Sequence, residues 1–338
     1  MNATLMKRLF RVLQDGSASD VRAVCRRIVD EQKKLGHVQV AKDLEKILAI
    51  PESKPAPNPA LRPLPTTRRD SAPLLIEIPV ADLRHHMVLP DSVEARFGRI
   101  EQEFAARSRL AKHGLKPRHR ILLYGPPGCG KNLGAERLAW HTGLPLRKVR
   151  FDNLLSSYFG ETMTNLRKVF DAAHETPCAL FLDECDTLAR ARNARNDVGE
   201  VTRITNGLLE MLEDYRGDGL VIAATNLDSE LDPALFRRFD EVLRIPLPGI
   251  EEIQRLLTTT LAPIGIEPKL PLRALAGEMD GMSGSDVVHV ARSGAKLAVL
   301  GGRNRISEAD LRLALAEAHE RHHSHYMTTL PKLDKKPE

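Results

Sequence analysis

The residues GPPGCGKN, Gly125 to Asn132, fall one position short of the pattern G-x-x-x-x-G-K-[ST]. In that pattern the glycines let backbone N–H groups wrap a chain of phosphates, and the N-terminus of the following helix favours their negative charge. Lys131 would reach the β- and γ-phosphates of a nucleotide. The loop works through its backbone, so Pro126, Pro127 and Cys129 matter little for their side chains, and Leu133 continues into the helix. The last position of the pattern carries a hydroxyl for a magnesium ion, and here it is Asn132. Asparagine offers a hard carbonyl oxygen, on a longer side chain, to an ion that tolerates little departure from octahedral geometry. Its amide NH₂ would instead donate to a carboxylate, or crowd the ion.

Two further apolar runs end in residues suited to the same chemistry. ALFLDE is a short buried strand ending in Asp183 and Glu184. An aspartate there can hold the water shell of magnesium, and the adjacent glutamate can polarise an attacking water. LVIAATN is a second strand, ending at Asn226, which would orient the water or touch the γ-phosphate; a cap or turn asparagine is the other reading. LDPALFRRFDEV then starts a short helix presenting Arg237 and Arg238, better placed for a neighbouring subunit's nucleotide than for their own; one would reach it while the other is structural.

The elements that must position these residues follow from periodicity. ILLYG, LRKVRF, ALFLDE, LVIAATN and EVLRIPL alternate with helical stretches such as NLRKVFDAAHE. Strands alternating with helices imply an α/β fold, a mostly parallel sheet covered on both faces. After Pro248 only helical patterns remain, giving an α/β domain over 73–247 and an all-α domain over 248–322. Residues 1–50 show three apolar helical stripes and read as a small bundle. The proline-dense stretch 51–72 is a semi-rigid linker, and 323–338 a polar tail.

Composition narrows the class. Among 338 residues, 50 Lys and Arg face 45 Asp and Glu, a net charge of +5, and the signs are interspersed. This argues for a solvated surface and against a nucleic-acid footprint. Four cysteines without C-x-x-C spacing suit reduced thiols. No apolar run is long enough for a membrane span and no signal-peptide core is visible, so a cytoplasmic protein is expected. The histidines of HERHHSHY, His319 to Tyr326, lack a fixed Cys or acidic partner beyond Glu320 and read as a solvated helix end.

Taken together, these motifs resemble the AAA family of the AAA+ ATPases, in particular bacterial members with a short helical N-terminal region. GPPGCGKN resembles Walker A, FLDE Walker B, ATN sensor 1, and LDPALFRRFD the second region of homology with its arginine fingers. Gly281 to Asp286 resembles the start of the lid's sensor-2 helix, which would bring Gly284 and Ser285 beside the adenine. The resemblance implies a P-loop NTPase domain with a helical lid, ATP and Mg²⁺, and a homo-oligomeric ring, usually a hexamer. SSYFGETMTNLRKVF resembles the pore loop, so Tyr158 and Phe159 would grip a protein substrate, with a partner protease as one recipient; core packing is the plainer reading of both. With Asn132 at the magnesium position, ATP binding is expected to survive and hydrolysis to be weakened. Two other functions fit less of the sequence. One is an ATP-dependent assembly switch that docks a partner through its N-terminal helices. The other is a DNA-associated loader or transposition helper.

Overall fold

The computed structural model describes residues 29, 64–67, 71–154, 159–183, 198–226 and 236–329. The chain divides into two compact units, Met1–Pro63 and Leu64–Glu338. Of the first, Val29 is described, a buried residue in a helix. The expected helical stripes of 1–50 otherwise lie outside the described residues, as do the prolines up to 63. The linker ends earlier than its composition suggests. Thr66 bridges Pro73, Leu74 N–H donates to Pro65 O at 2.9 Å, and Leu64 packs on the α/β core, so Leu64–Thr67 belongs to the second unit.

The second unit opens with strand β1 (Leu75–Ile78), helices α1 (Asp91–Ala105) and α2 (Arg107–Lys112), strand β2 (Arg120–Tyr124) and helix α3 (Lys131–Thr142). Then come β3 (Leu146–Val149), α4 (Phe151–Leu154), α5 (Phe159–Glu175), β4 (Ala179–Leu182), α6 (Val198–Asp214), β5 (Leu220–Thr225) and β6 (Glu241–Arg244). The strands form one sheet in the order β1-β3-β4-β5-β2-β6, parallel except for β1, which runs antiparallel to β3. β1 was not visible as a strand in the sequence. LIEI is short, and only its first residue is fully buried because it forms the sheet's edge.

β4 and β5 are buried at every position, as parallel strands covered on both faces must be. Successive side chains point to opposite faces. Leu180, Leu182, Val221 and Ala223 pack with Leu166 of α5 and Leu208 of α6. Phe181, Ile222 and Ala224 pack with Phe97 and Ile100 of α1 and Leu138 of α3. This two-sided packing fixes the strand register, and the C-terminal ends of β2, β4 and β5 therefore come to one edge of the sheet. Ligands of open α/β sheets bind at that edge, where strand order reverses, and β2 is the strand at the reversal.

Four helices follow: α7 (Ile250–Leu261), α8 (Leu272–Glu278), α9 (Gly284–Leu300) and α10 (Glu308–Thr329). They enclose their own core, including Leu257, Leu275, Val290 and Leu311. α10 continues through Thr329, so the expected polar tail from 323 starts as helix. No helix among the described residues is long and apolar enough to cross a membrane.

The start of α10 is held by one carboxylate. Ser307 and Asp310 cap the helix reciprocally: Asp310 N–H donates to Ser307 Oγ at 3.4 Å and Ser307 N–H donates to Asp310 Oδ2 at 3.0 Å. Arg303 binds both carboxylate oxygens at 2.6 Å. The Arg303 guanidinium, then the Ser307 hydroxyl and N–H, hold the Asp310 carboxyl far below its ordinary range against the opposing effect of burial. A carboxyl depressed on folding stabilises fully above its unfolded pKa of about 4, and this stabilisation is lost as pH falls below that value. Asp310→Asn is expected to lower the melting temperature at pH 7 by about 2–4 °C. The gap from wild type should narrow as pH falls below about 4, read by calorimetry across pH.

Candidate nucleotide site

The loop after β2 is shaped by glycines in the left-handed region. Gly125, Gly128 and Gly130 have φ of 140°, 74° and 100°. A Cβ on Gly125 would lie 2.2 Å from Ile245 O, a backbone atom that cannot step aside. Helix α3 begins at Lys131 behind Gly130, which has no side chain to cap it. Backbone N–H groups at such an end, together with the helix dipole, favour an anion. The Lys131 side chain is 8% exposed, and its Nζ donates to Gly125 O and Pro126 O, both at 2.8 Å. The ammonium is thus carried over the loop's own backbone.

Asp183 follows β4 directly. Its Oδ2 accepts the Asn132 amide Nδ2–H at 3.0 Å and the Lys148 ammonium at 2.6 Å. Of the two roles open to the Asn132 amide, donation to the aspartate is the one the structure adopts. Lys148 comes from β3, where it stands opposite Phe181 of β4, so sheet register delivers it to the strand end. Asn226 follows β5 at the same edge, next to Thr225, which is level with Tyr124 at the end of β2. The structure thereby brings together Gly125–Gly130, Lys131, Asn132, Asp183 and Asn226.

The helical lid touches the loop itself. Ser285 N–H donates to Gly128 O at 3.0 Å, and a Cβ on Gly128 would lie 2.4 Å from Ser285 Oγ and 2.5 Å from Ser283 Oγ. Ser283 caps α9 and donates to Asp286 Oδ2 at 2.6 Å, which sets the helix end against the loop.

Comparison with known proteins identifies the family. Residues 121–247 match the ATPase family associated with various cellular activities (AAA). Over 317 residues, 93% of this chain and 94% of the other, the chain is 38% identical to a protein of Sinorhizobium fredii (strain NBRC 101917 / NGR234) described as uncharacterized AAA family ATPase y4kL. The chain belongs to the AAA family of ATPases. Membership makes ATP the nucleotide and its hydrolysis the general activity.

The residues present fit the ATP that AAA proteins bind. Three left-handed glycines shape a loop where side chains would strike Ile245, Ser283 and Met87, an uncapped helix start follows it, and a lysine ammonium lies on its backbone. They do not fit the magnesium that usually accompanies it. The hydroxyl ligand is missing, and the Asp183 oxygen that the Asn132 amide bonds already holds an ammonium group.

Other expected AAA residues separate. Arg238 forms an ion pair with Glu213 of α6 in the same subunit, whereas Arg237 is exposed. Arg238 is thus engaged within its own subunit, as the structural one of the two arginines would be. Asp240, held by Arg120 through a 2.6 Å contact, anchors the chain just beyond them. Phe159 begins α5, ahead of the expected start near Glu161. Tyr158 and Glu184 lie outside the described residues, as does the Phe159 side chain. Two contributors escaped the sequence reading. Lys148 looked like an ordinary strand residue in LRKVRF. The segment 84–89 showed no motif, yet Met87 Cε reaches within 3.0 Å of where a Gly130 Cβ would stand. Arg84, through its N–H and guanidinium, binds Glu136 of α3, and Arg255 of the lid donates to Leu89 O at 3.3 Å.

Gly128→Ala forces a left-handed alanine, costing about 1–2 kcal/mol, and drives its methyl into Ser283 and Ser285. The variant is expected to bind ATP at least about tenfold more weakly in a calorimetric titration. An unchanged dissociation constant would show that the lid contact is not part of the site.

Proposed function

We propose that the protein is a slowly hydrolysing AAA ATPase that assembles with ATP into a homo-oligomeric ring, a hexamer by family resemblance, and acts on a protein substrate. The observation that carries this is the direct hydrogen bond from Ser285 of the lid to Gly128 of the phosphate loop. A loop that closes on phosphate through its backbone moves the lid through this bond, so nucleotide state becomes subunit shape. Arg237 is exposed and available to a neighbour's nucleotide, while Glu184 would polarise the attacking water. Tyr158 and Phe159 would grip extended polypeptide by contact area, a sequence-tolerant hold. A partner protease could receive what is pulled, and Ser285 and Gly284 would flank the adenine.

A second reading is favoured by the Asn132 and Lys148 contacts on Asp183: a switch that assembles with ATP, hydrolyses little and docks a partner through residues 1–50. Tyr158→Ala separates the two. In the remodelling reading the variant binds ATP and assembles as wild type does, but loses ATP-dependent unfolding of a tagged substrate. Wild-type unfolding by the variant would place the grip elsewhere than Tyr158, and absence of unfolding by the wild-type protein itself would favour the switch.

The trans role of Arg237 has its own test. Subunits carrying Lys131→Ala and subunits carrying Arg237→Ala should each be inactive, and mixing them should restore part of the turnover. Failure to complement would place Arg237 outside the neighbour's site.

A further inference from the structure

We propose that Lys148 takes over at Asp183 the positive charge that a divalent ion would bring, with Asn132 bonded to the same oxygen, so that this protein binds ATP as the metal-free nucleotide. The proposal rests on the ATP-binding reading of the same site. Its physical basis is the set of atoms on one carboxylate oxygen. Asp183 Oδ2 accepts from Lys148 Nζ at 2.6 Å and from Asn132 Nδ2 at 3.0 Å. A charge-assisted contact of that length is a strong one. A cation joining the same oxygen would have to displace the ammonium or sit against a like charge. Magnesium gives up its water shell reluctantly and needs well-placed oxygens, and Asn132 lacks the hydroxyl usual at that position.

Lys148 is held for this task by the sheet. It sits opposite Phe181 in the β3–β4 register, and its Nζ lies 5.6 Å from the centre of the Phe181 ring. Glu136 of α3 is taken by the backbone N–H and guanidinium of Arg84. Lys148 bonds Asp183. Its side chain remains 35% exposed while that of Asp183 is 17% exposed, so the pair is open to solvent at the strand end. An ammonium has three donors, and Asp183 uses one. The remaining donors suit phosphate oxygens, and Lys131 supplies a second ammonium over the same loop.

The experiment is an ATP titration of the full chain by calorimetry, in excess magnesium and in excess EDTA. Wild type is expected to bind ATP in EDTA within about threefold of its affinity in magnesium. Lys148→Met should lose about tenfold or more in EDTA and recover when magnesium is added, while Lys148→Arg should stay close to wild type. A wild-type affinity that falls about tenfold or more in EDTA overturns the proposal and leaves the ATP-binding reading intact. Equal affinity of wild type and Lys148→Met in EDTA overturns the role of Lys148. No ATP binding in either buffer overturns both the proposal and the reading beneath it. The wild-type comparison decides the question even if the methionine variant fails to fold.

Discussion

A carboxylate at the mouth of a parallel sheet must be neutralised by something. Asp183 stands where β4 ends, beside a loop and a helix start built to attract phosphate. An aspartate left bare there would repel the anion that the glycines invite. In most P-loop sites a divalent ion resolves this conflict. Here two side chains resolve it, Lys148 from the next strand and Asn132 from the helix after the loop. Asn132 and Lys148 therefore act on Asp183 together in physical terms. Each supplies a donor to the same oxygen, and the pair makes sense of a departure that looks like decay when Asn132 is considered alone.

The rest of the structure serves to keep these groups within reach of one another. Packing on both faces fixes the register of β3, β4, β5 and β2, and register decides which side chains arrive at the edge. The loop is held from behind, where only glycine can pass Ile245 O, and from above, where Ser285 bonds Gly128 O. The lid keeps its own core and its own capped helices, so it can answer the loop as a unit. The ion pair of Arg238 with Glu213 and the anchoring of Asp240 by Arg120 leave Arg237 as the exposed arginine of the pair.

Much of this was legible in the sequence, because the signals were local. GPPGCGKN announces its backbone geometry, and the fully buried runs ALFL and LVIAAT announce two-sided packing. The helical lid followed from the loss of strand patterns after Pro248. What could not be read depended on register. Lys148 acquires its role only when β3 lies beside β4, and nothing in LRKVRF marks it. The same holds for Met87 and Arg84, whose segment carries no repeating pattern and meets α3 only in the fold. β1 was missed because an edge strand with one buried position gives almost no alternation, and α10 outran its expected end because polar residues do not stop a helix. The separation of Arg237 from Arg238 required knowing where Glu213 lies, on a helix distant in sequence.

The central claim is that the cationic partner of Asp183 is a side chain rather than a bound ion. Manganese is paramagnetic and substitutes for magnesium on ATP, so its electron paramagnetic resonance signal reports the ion directly. With the protein saturated in ATP, the account predicts that added manganese gives only the signals of the free ion and of its complex with ATP in solution. A distinct immobilised manganese signal that needs both the protein and ATP, and that disappears in Asp183→Asn, would contradict it.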